Sequence, residues 1–479
     1  MEKVNAKGQW GSKFGFLMAS VGSAVGLGNL WGFPYKMGAN GGFAFLLIYL
    51  VLFAVVGIVM MLTELSLGRS TGKGIIQSYS ELGKKYTFIG WLGWLSPFLI
   101  LGFYIMLGGY TIKYFIANLG DLFHASWGVA GADSGEFFGN FTSNMGQASL
   151  FSLIFLGLTM LVVARGVQRG IEKVSSIAMP ALFVMLVIVI IRACTLPGAT
   201  AGLEFVFKPN FEVFQGTGWI NVLAAAGGQL FFSLSLAMGI MVTYGSYLRK
   251  EDNLQQNAVI IPFADTLVAV MAAMATMPAV FAAGLEPGAG PGLLFVTLQI
   301  VFDSLGAIGP LFGFLFYFLT FIAAFTSSIS LVETVVAALM DRNIAKGKPV
   351  ARGKSTTIIG IALAVETVFI SIDGLGANGF APWQVFGLSE GDILNWNDCW
   401  LDFFDLLSEG IMMPLGSLLT AIIFGWIKTD WIQKEVESNG SSFTMKGFWT
   451  FCIKFIVPVM MALILLGQID NFFGLGLFS

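Results

Sequence analysis

Charge is the scarcest commodity in this chain: Asp, Glu, Lys and Arg make up only 11% of its 479 residues. A soluble domain carries roughly 25%, so a polar coat cannot cover this molecule and lipid has to. Histidine is scarcer still. His124 stands alone, which excludes a histidine-built metal site and a Ser-His nucleophilic triad. Cys194, Cys399 and Cys452 lie far apart, without zinc-ligand spacing or a disulfide framework, and read as inert small apolar residues. No nucleophile–base pair or metal cluster stands out, so an enzyme is not expected. The net charge of −3 is uninformative, and nothing points to a nucleic-acid partner.

What is present is apolar, at 56% hydrophobic residues. Runs such as Phe43–Leu62 and Ala181–Ile191 with their flanks match the ~20 residues that cross a bilayer as a helix. The short alternating segments of a membrane β-barrel are not seen. The pattern predicts an all-α polytopic protein with eleven spans near 12–37, 41–68, 88–118, 147–164, 172–193, 219–248, 256–284, 308–340, 355–372, 400–427 and 447–468. Basic residues accumulate on the cytoplasmic side of membrane proteins. With the N-terminus inside, 20 of the 25 Lys and Arg fall in inner segments, which predicts a plasma (cell inner) membrane protein with a cytoplasmic N-terminal segment, 1–11.

Two predicted spans carry their own interruptions. The first contains Gly22-Ser-Ala-Val-Gly-Leu-Gly-Asn29 and then Pro34; the sixth holds Gly227, Gly228 and Gly239 around Gln229-Leu-Phe-Phe-Ser-Leu-Ser-Leu-Ala237. Glycine costs about 1 kcal/mol per helical position against alanine, and proline removes a donor. The two broken helices lie five spans apart. A five-helix repeat of odd count forces its second copy into inverted topology, and paired broken helices then mark a transport site. Glycines that merely let helices approach closely are the other reading. The chain divides into a first repeat over 12–193, a second over 219–427 and an eleventh helix with the C-terminus over 447–479. The stretch Pro287–Leu305 reads as a short helical lid.

These segments resemble the neurotransmitter:sodium symporter family, in its bacterial eleven-helix amino-acid transporter branch. The likeness runs from Trp10 through Gly42, including Phe33-Pro34 and Asn40-Gly-Gly42, and recurs in Gln229–Gly239 and Phe325-Thr-Ser-Ser328. It implies a five-plus-five inverted-repeat fold with unwound helices 1 and 6, carrying an amino acid with sodium. Sodium is a hard cation that takes oxygen ligands, and unwound backbone frees carbonyls to supply them. By the resemblance, one sodium falls to the Ala24 carbonyl, Asn29, Ser233 and Asp265. The second falls to the carbonyls of Gly22, Val25 and Ala323 with the hydroxyls of Thr326 and Ser327, although hydroxyls on a helix also bond back to their own backbone.

Asp265 lies in an otherwise uncharged predicted span, where a carboxylate is functional by default. Animal members resemble a different arrangement, with Asn here and Ser one turn later helping to hold chloride. This chain has Asp265 and Ala269, which implies chloride independence. For the substrate, amides near Leu27 and Gly28 suit a carboxylate at a helix N-terminus, with Tyr104 aligned to the family's carboxylate-binding tyrosine. Carbonyls of Ser23, Phe232 and Ser235 would meet the amino group. Ile100, Phe232, Met238, Ser327 and Leu331 would shape a mostly apolar side-chain pocket, for a neutral and largely apolar L-amino acid. Lys7 and Asp341, with Trp10 and Tyr247, match the inner gate, and Asp405 matches the outer gate acid. The outer gate's usual basic partner is missing, since Gly32 stands in its place; Lys36 lies one turn later. A proton-coupled carrier of the same fold and a transport-like amino-acid receptor are the alternatives.

Overall fold

The computed structural model describes residues 9–287, 292–348 and 351–478. Most of them are helical, and no strand occurs among them. Among the described residues nine helices are long and apolar enough to cross a bilayer: α3 (Phe43–Thr71), α4 (Lys84–Leu122), α5 (Met145–Ala164), α6 (Val167–Cys194), α9 (Leu254–Ala282), α10 (Gly306–Ala345), α11 (Arg352–Ser371), α12 (Trp400–Ile427) and α13 (Lys446–Phe473). A tenth is a bent pair, α1 (Lys13–Ala24) and α2 (Gly28–Ala39), with 45° between the halves. The expected sixth span consists of α7 (Trp219–Ser233) and α8 (Ile240–Gly245), separated by residues 234–239. Neither reaches the length of a crossing. Ile177, Val184, Ile361 and Val365 are each more than 60% exposed, an apolar surface that only lipid or a partner can cover. Part of the expected lid, Leu293–Ser304, is helical; residues 288–291 lie outside the described set.

The bundle places both interrupted helices at its centre. α10 packs most extensively on α4, while α1 packs on α6, α9 and α10, and α7 and α8 pack on α3. The break after α1 follows from where its amides go. Val25 turns out of helical geometry at φ −75° and ψ 97°. In a continuous helix the amides of Gly26 and Leu27 would bond the carbonyls of Gly22 and Ser23. Instead Gly26 N–H donates to Asn29 Oδ1 at 3.0 Å, and Leu27 N–H donates to Tyr104 Oη at 3.0 Å. Gly26 is required by close approach, because a Cβ there would come within 2.4 Å of the hydroxyl oxygens of both Ser327 and Tyr104.

The second break is strained. Ser235, Ala237 and Gly239 all take positive φ, at 54°, 61° and 75°. Glycine does so freely, whereas a non-glycine residue in the left-handed region costs on the order of 1–3 kcal/mol and persists only where its surroundings hold it. The surroundings here are specific. The Ala237 amide donates to Glu64 Oε1 at 2.7 Å, and Ser235 Oγ donates to the Ser23 carbonyl at 3.1 Å.

Candidate functional site

The two breaks face each other across a small cavity. Its walls include Ser23, Ala24, Gly28, Ile100, Tyr104, Phe232, Ser235, Met238, Ser327 and Leu331. Every substrate residue expected from sequence is therefore at this cavity except Leu27, which reaches it through Tyr104. The Leu27 amide was expected to be free, and it is not: the Tyr104 hydroxyl takes it. A carboxylate entering there would have to exchange one neutral hydrogen bond for two charge-assisted ones. The Tyr104 and Phe232 rings lie 6.2 Å apart and tilted by 48°. Ile100, Met238 and Leu331 make the remainder apolar. Among the carbonyls expected at an amino group, that of Ser23 accepts from both Ser327 Oγ (2.9 Å) and Ser235 Oγ (3.1 Å), and that of Phe232 accepts from Ser235 N–H (3.3 Å).

Beside the cavity, Asp265 on α9 is fully buried. Asn29 Nδ2 donates to its Oδ1 at 2.7 Å and to its main-chain carbonyl at 3.1 Å. Ser233 Oγ lies 2.9 and 3.0 Å from its two carboxylate oxygens, and Tyr49 Oη donates to Oδ2 at 3.4 Å. All of these donors are neutral. A buried carboxylate with no cationic partner is costly, so the arrangement suits a cation brought in from solution. The expected members of this group other than Ala24 are thus brought into direct contact, and Ala24 lines the adjoining cavity.

The second group also assembles. Ser327 Oγ on α10 lies 3.2 Å from the Gly22 carbonyl oxygen and 3.4 Å from that of Val25. Both carbonyls sit at the end of α1, where helix termination leaves acceptors without main-chain donors. Thr326 Oγ1 bonds back to the carbonyls of Ile322 (3.1 Å) and Ala323 (3.2 Å), the local alternative recognised from sequence. Its oxygen stands beside the Ala323 carbonyl and 4.0 Å from Met179 Sδ, so the oxygens in direct contact are those of Ser327, Gly22 and Val25, with Thr326 and Ala323 forming a separate pair. Oxygen-only sets select hard cations.

The ends of the bundle differ more from expectation. Toward the N-terminal end, Trp10 is 3% exposed, its indole N–H donates to the Tyr244 carbonyl at 3.2 Å, and its ring packs edge-on against Tyr247. Tyr247 Oη donates to Glu333, which also pairs with Arg352 at 2.6 Å. Neither Glu333 nor Arg352 was singled out by sequence. Asp341 accepts the Gly74 amide at 2.6 Å; Lys7 lies outside the described residues. At the opposite end, Lys36 forms its ion pair with Glu409, one turn beyond Asp405, whose carboxyl is electrostatically in contact with both. Gly32 cannot carry the missing base without rearrangement, since a Cβ there would lie 2.8 Å from Gln229 Oε1. Lys36 was the base that sequence offered beside Asp405; its ion pair is with Glu409, which sequence did not single out among the polar residues that open α12.

The fold and the central site define a helical membrane protein of the transporter class, with a buried carboxylate among neutral donors beside a small cavity. Comparison with known proteins agrees. Residues 7–130 and 139–477 match the model of the sodium:neurotransmitter symporter family. A sodium-dependent transporter of Haemophilus influenzae is 34% identical over 470 residues, covering 96% of this chain and 98% of that one. The sodium-dependent transporter YhdH of Bacillus subtilis is also 34% identical, over 468 residues and 96% and 97% of the two chains. Among solved structures, that of MhsT in complex with L-phenylalanine superposes with a TM-score of 0.83 at 35% identity, covering 96% of this chain and all of that one. The chain belongs to the sodium:neurotransmitter symporter family. It is a multi-pass, sodium-dependent transporter and not an enzyme.

Proposed function

We propose that this protein imports a neutral, largely apolar L-amino acid together with sodium, without chloride, by alternating access. The observation that carries the proposal is the buried Asp265 carboxylate, held only by the neutral donors Asn29, Ser233 and Tyr49 beside the cavity between the two breaks. In this reading a first sodium is bound by Ala24, Asn29, Ser233 and Asp265, and a second by Gly22, Val25, Ala323, Thr326 and Ser327. The substrate carboxylate takes the place between Leu27 N–H and Tyr104 Oη, and completes the first sodium's shell. Its side chain meets Ile100, Phe232, Met238 and Leu331. The apolar lining supports an apolar substrate, as does the likeness to MhsT, whose solved complex holds L-phenylalanine.

The wider architecture belongs to the same proposal. Residues 12–193 and 219–427 form two inverted five-helix repeats, an eleventh helix follows, and the N-terminus lies in the cytoplasm of a cell whose plasma membrane the chain spans. Sodium stabilises the outward-open state, and substrate favours occlusion under Tyr104 and Phe232. Release of the Trp10, Tyr247 and Asp341 contacts, with Lys7, then opens the inside. A ligand shifts such an equilibrium only by its differential affinity for the two states. Coupling therefore requires the sodium sites to be complete in one of them and not the other. The test is uptake of a panel of radiolabelled amino acids into proteoliposomes, with external sodium or with choline in its place. Concentrative uptake of apolar amino acids in sodium alone is expected; equal uptake in choline would overturn the proposal.

A further inference from the structure

At the end of the bundle that carries Lys36 and Glu409, a second group of ionisable side chains lies outside the central site. The Cys399 Sγ and one carboxylate oxygen each from Asp398 and Asp402 fall within 4.8 Å of one another. Cys399 Sγ is 3.0 Å from Asp402 Oδ2. Asp398 is exposed, Asp402 half-buried and Cys399 buried, so the group has one face open to solvent and one closed. A fourth acid backs the closed face. Asp373, just beyond α11, is 1% exposed, and its Oδ2 accepts the amide of Trp400, the residue next to Cys399, at 3.0 Å. The Gly376 amide also acts on this carboxyl, although its buried Oδ1 forms no hydrogen bond of good geometry, and the carboxyl interacts electrostatically with both Asp398 and Asp402. The Tyr110 hydroxyl is also buried and unpartnered, close enough to Cys399 and Asp373 to feel both electrostatically.

Three carboxyls and a thiol are therefore gathered where, among the described residues, none of the three aspartates forms an ion pair. Like charges at such separations disfavour one another, and either protons or a cation must relieve them. The donor set distinguishes between cations. Calcium and magnesium take oxygen ligands in high coordination number, whereas zinc and its heavier congeners accept a thiolate with carboxylates in a four-coordinate shell. We propose that Asp398, Cys399 and Asp402, backed by Asp373, form a binding site for a divalent cation of the zinc class. On binding, the S–H bond of Cys399 breaks, a metal–sulfur bond forms and the proton leaves to water. No redox change is involved.

The site is tested on the full-length protein in detergent with zinc or cadmium alone, so its outcome does not depend on the transport proposal. Calorimetry should show one zinc ion bound per chain, and cadmium should produce thiolate-to-metal charge-transfer absorption that excess magnesium does not remove. Cys399→Ser should abolish that absorption and weaken zinc by about tenfold or more, with Asp402→Asn weakening it comparably. Cys452→Ser should change neither. A readout that needs no variant is protection: zinc should slow maleimide labelling of wild-type Cys399. Failure of wild type to bind zinc, zinc affinity unchanged in Cys399→Ser, or labelling indifferent to zinc would each overturn the assignment.

Discussion

Ser233 Oγ sits between the two carboxylate oxygens of Asp265, 2.9 Å from one and 3.0 Å from the other. A hydroxyl has a single proton, so only one of these contacts can be a hydrogen bond at any moment, and the hydroxyl oxygen keeps a lone pair for something else. With Asn29 amide-side toward the same carboxylate, α2, α7 and α9 meet at a single buried charge. That convergence is what a coupling ion could read.

The α10 hydroxyls give the first prediction. Ser327 Oγ touches carbonyls released by the break after α1, and Thr326 Oγ1 lies by the Ala323 carbonyl. Replacing both with alanine should weaken sodium-dependent substrate binding by about tenfold or more, roughly 1.4 kcal/mol. Sodium titrations of radioligand binding would check this; an unchanged sodium midpoint would place the second ion elsewhere.

Tyr104→Phe keeps the ring but deletes the hydroxyl that holds the Leu27 amide. A carboxylate deprived of one donor loses on the order of 1.5–3 kcal/mol. Substrate affinity should fall accordingly, while sodium affinity without substrate stays near wild type. Equilibrium binding of each ligand separates the two, and unaltered substrate affinity would make Tyr104 a packing residue.

Gly26→Ala tests the close approach of the first break to α4 and α10. Its Cβ would press on the Tyr104 and Ser327 oxygens at once, so substrate and sodium binding should weaken together. The same change at Gly139, where no atom lies within 4 Å, should be silent in the same assays.

The Lys36–Glu409 pair has side chains 21% and 6% exposed, so it is partly desolvated. Removing one partner of a fully buried pair costs about 3–5 kcal/mol, and here somewhat less is expected because Lys36 reaches solvent. Lys36→Met should lower the thermal midpoint, and adding Glu409→Gln should recover most of it. A double variant as unstable as the sum of its parts would show that the pair is incidental.

The helical membrane class was legible at once, because charge too sparse to coat a globule leaves few alternatives. The breaks were legible from glycines and small polar residues inside apolar runs, and the residues around them from the resemblance to the symporter family; the structure brings most of those residues together around the cavity and Asp265. The break in the sixth segment was foreseen from its glycines, but not the left-handed conformations of Ser235 and Ala237, which Glu64 and the facing Ser23 hold in place. Such tertiary support leaves no local pattern. Glu409, Glu333 and Arg352 were missed for the same reason, as each draws its meaning from a partner on another helix. Cys399 was read as inert because the three cysteines lie far apart without zinc-ligand spacing; Asp373, which accepts the amide of the next residue, lies a full loop away in sequence.

The account rests on Asp265 serving as the fixed anion of a sodium-coupled site, and one measurement addresses it directly. Sodium-driven uptake into proteoliposomes is measured in chloride and in gluconate for wild type, Asp265→Asn, and Asp265→Asn with Ala269→Ser. Two sodium ions and a zwitterion leave a buried site positive unless an anion is present, and an unpaired buried charge is costly. Wild type should transport equally in both media, the single variant poorly in both, and the double variant only in chloride. Wild-type uptake that collapses in gluconate would contradict the account, whatever the variants did.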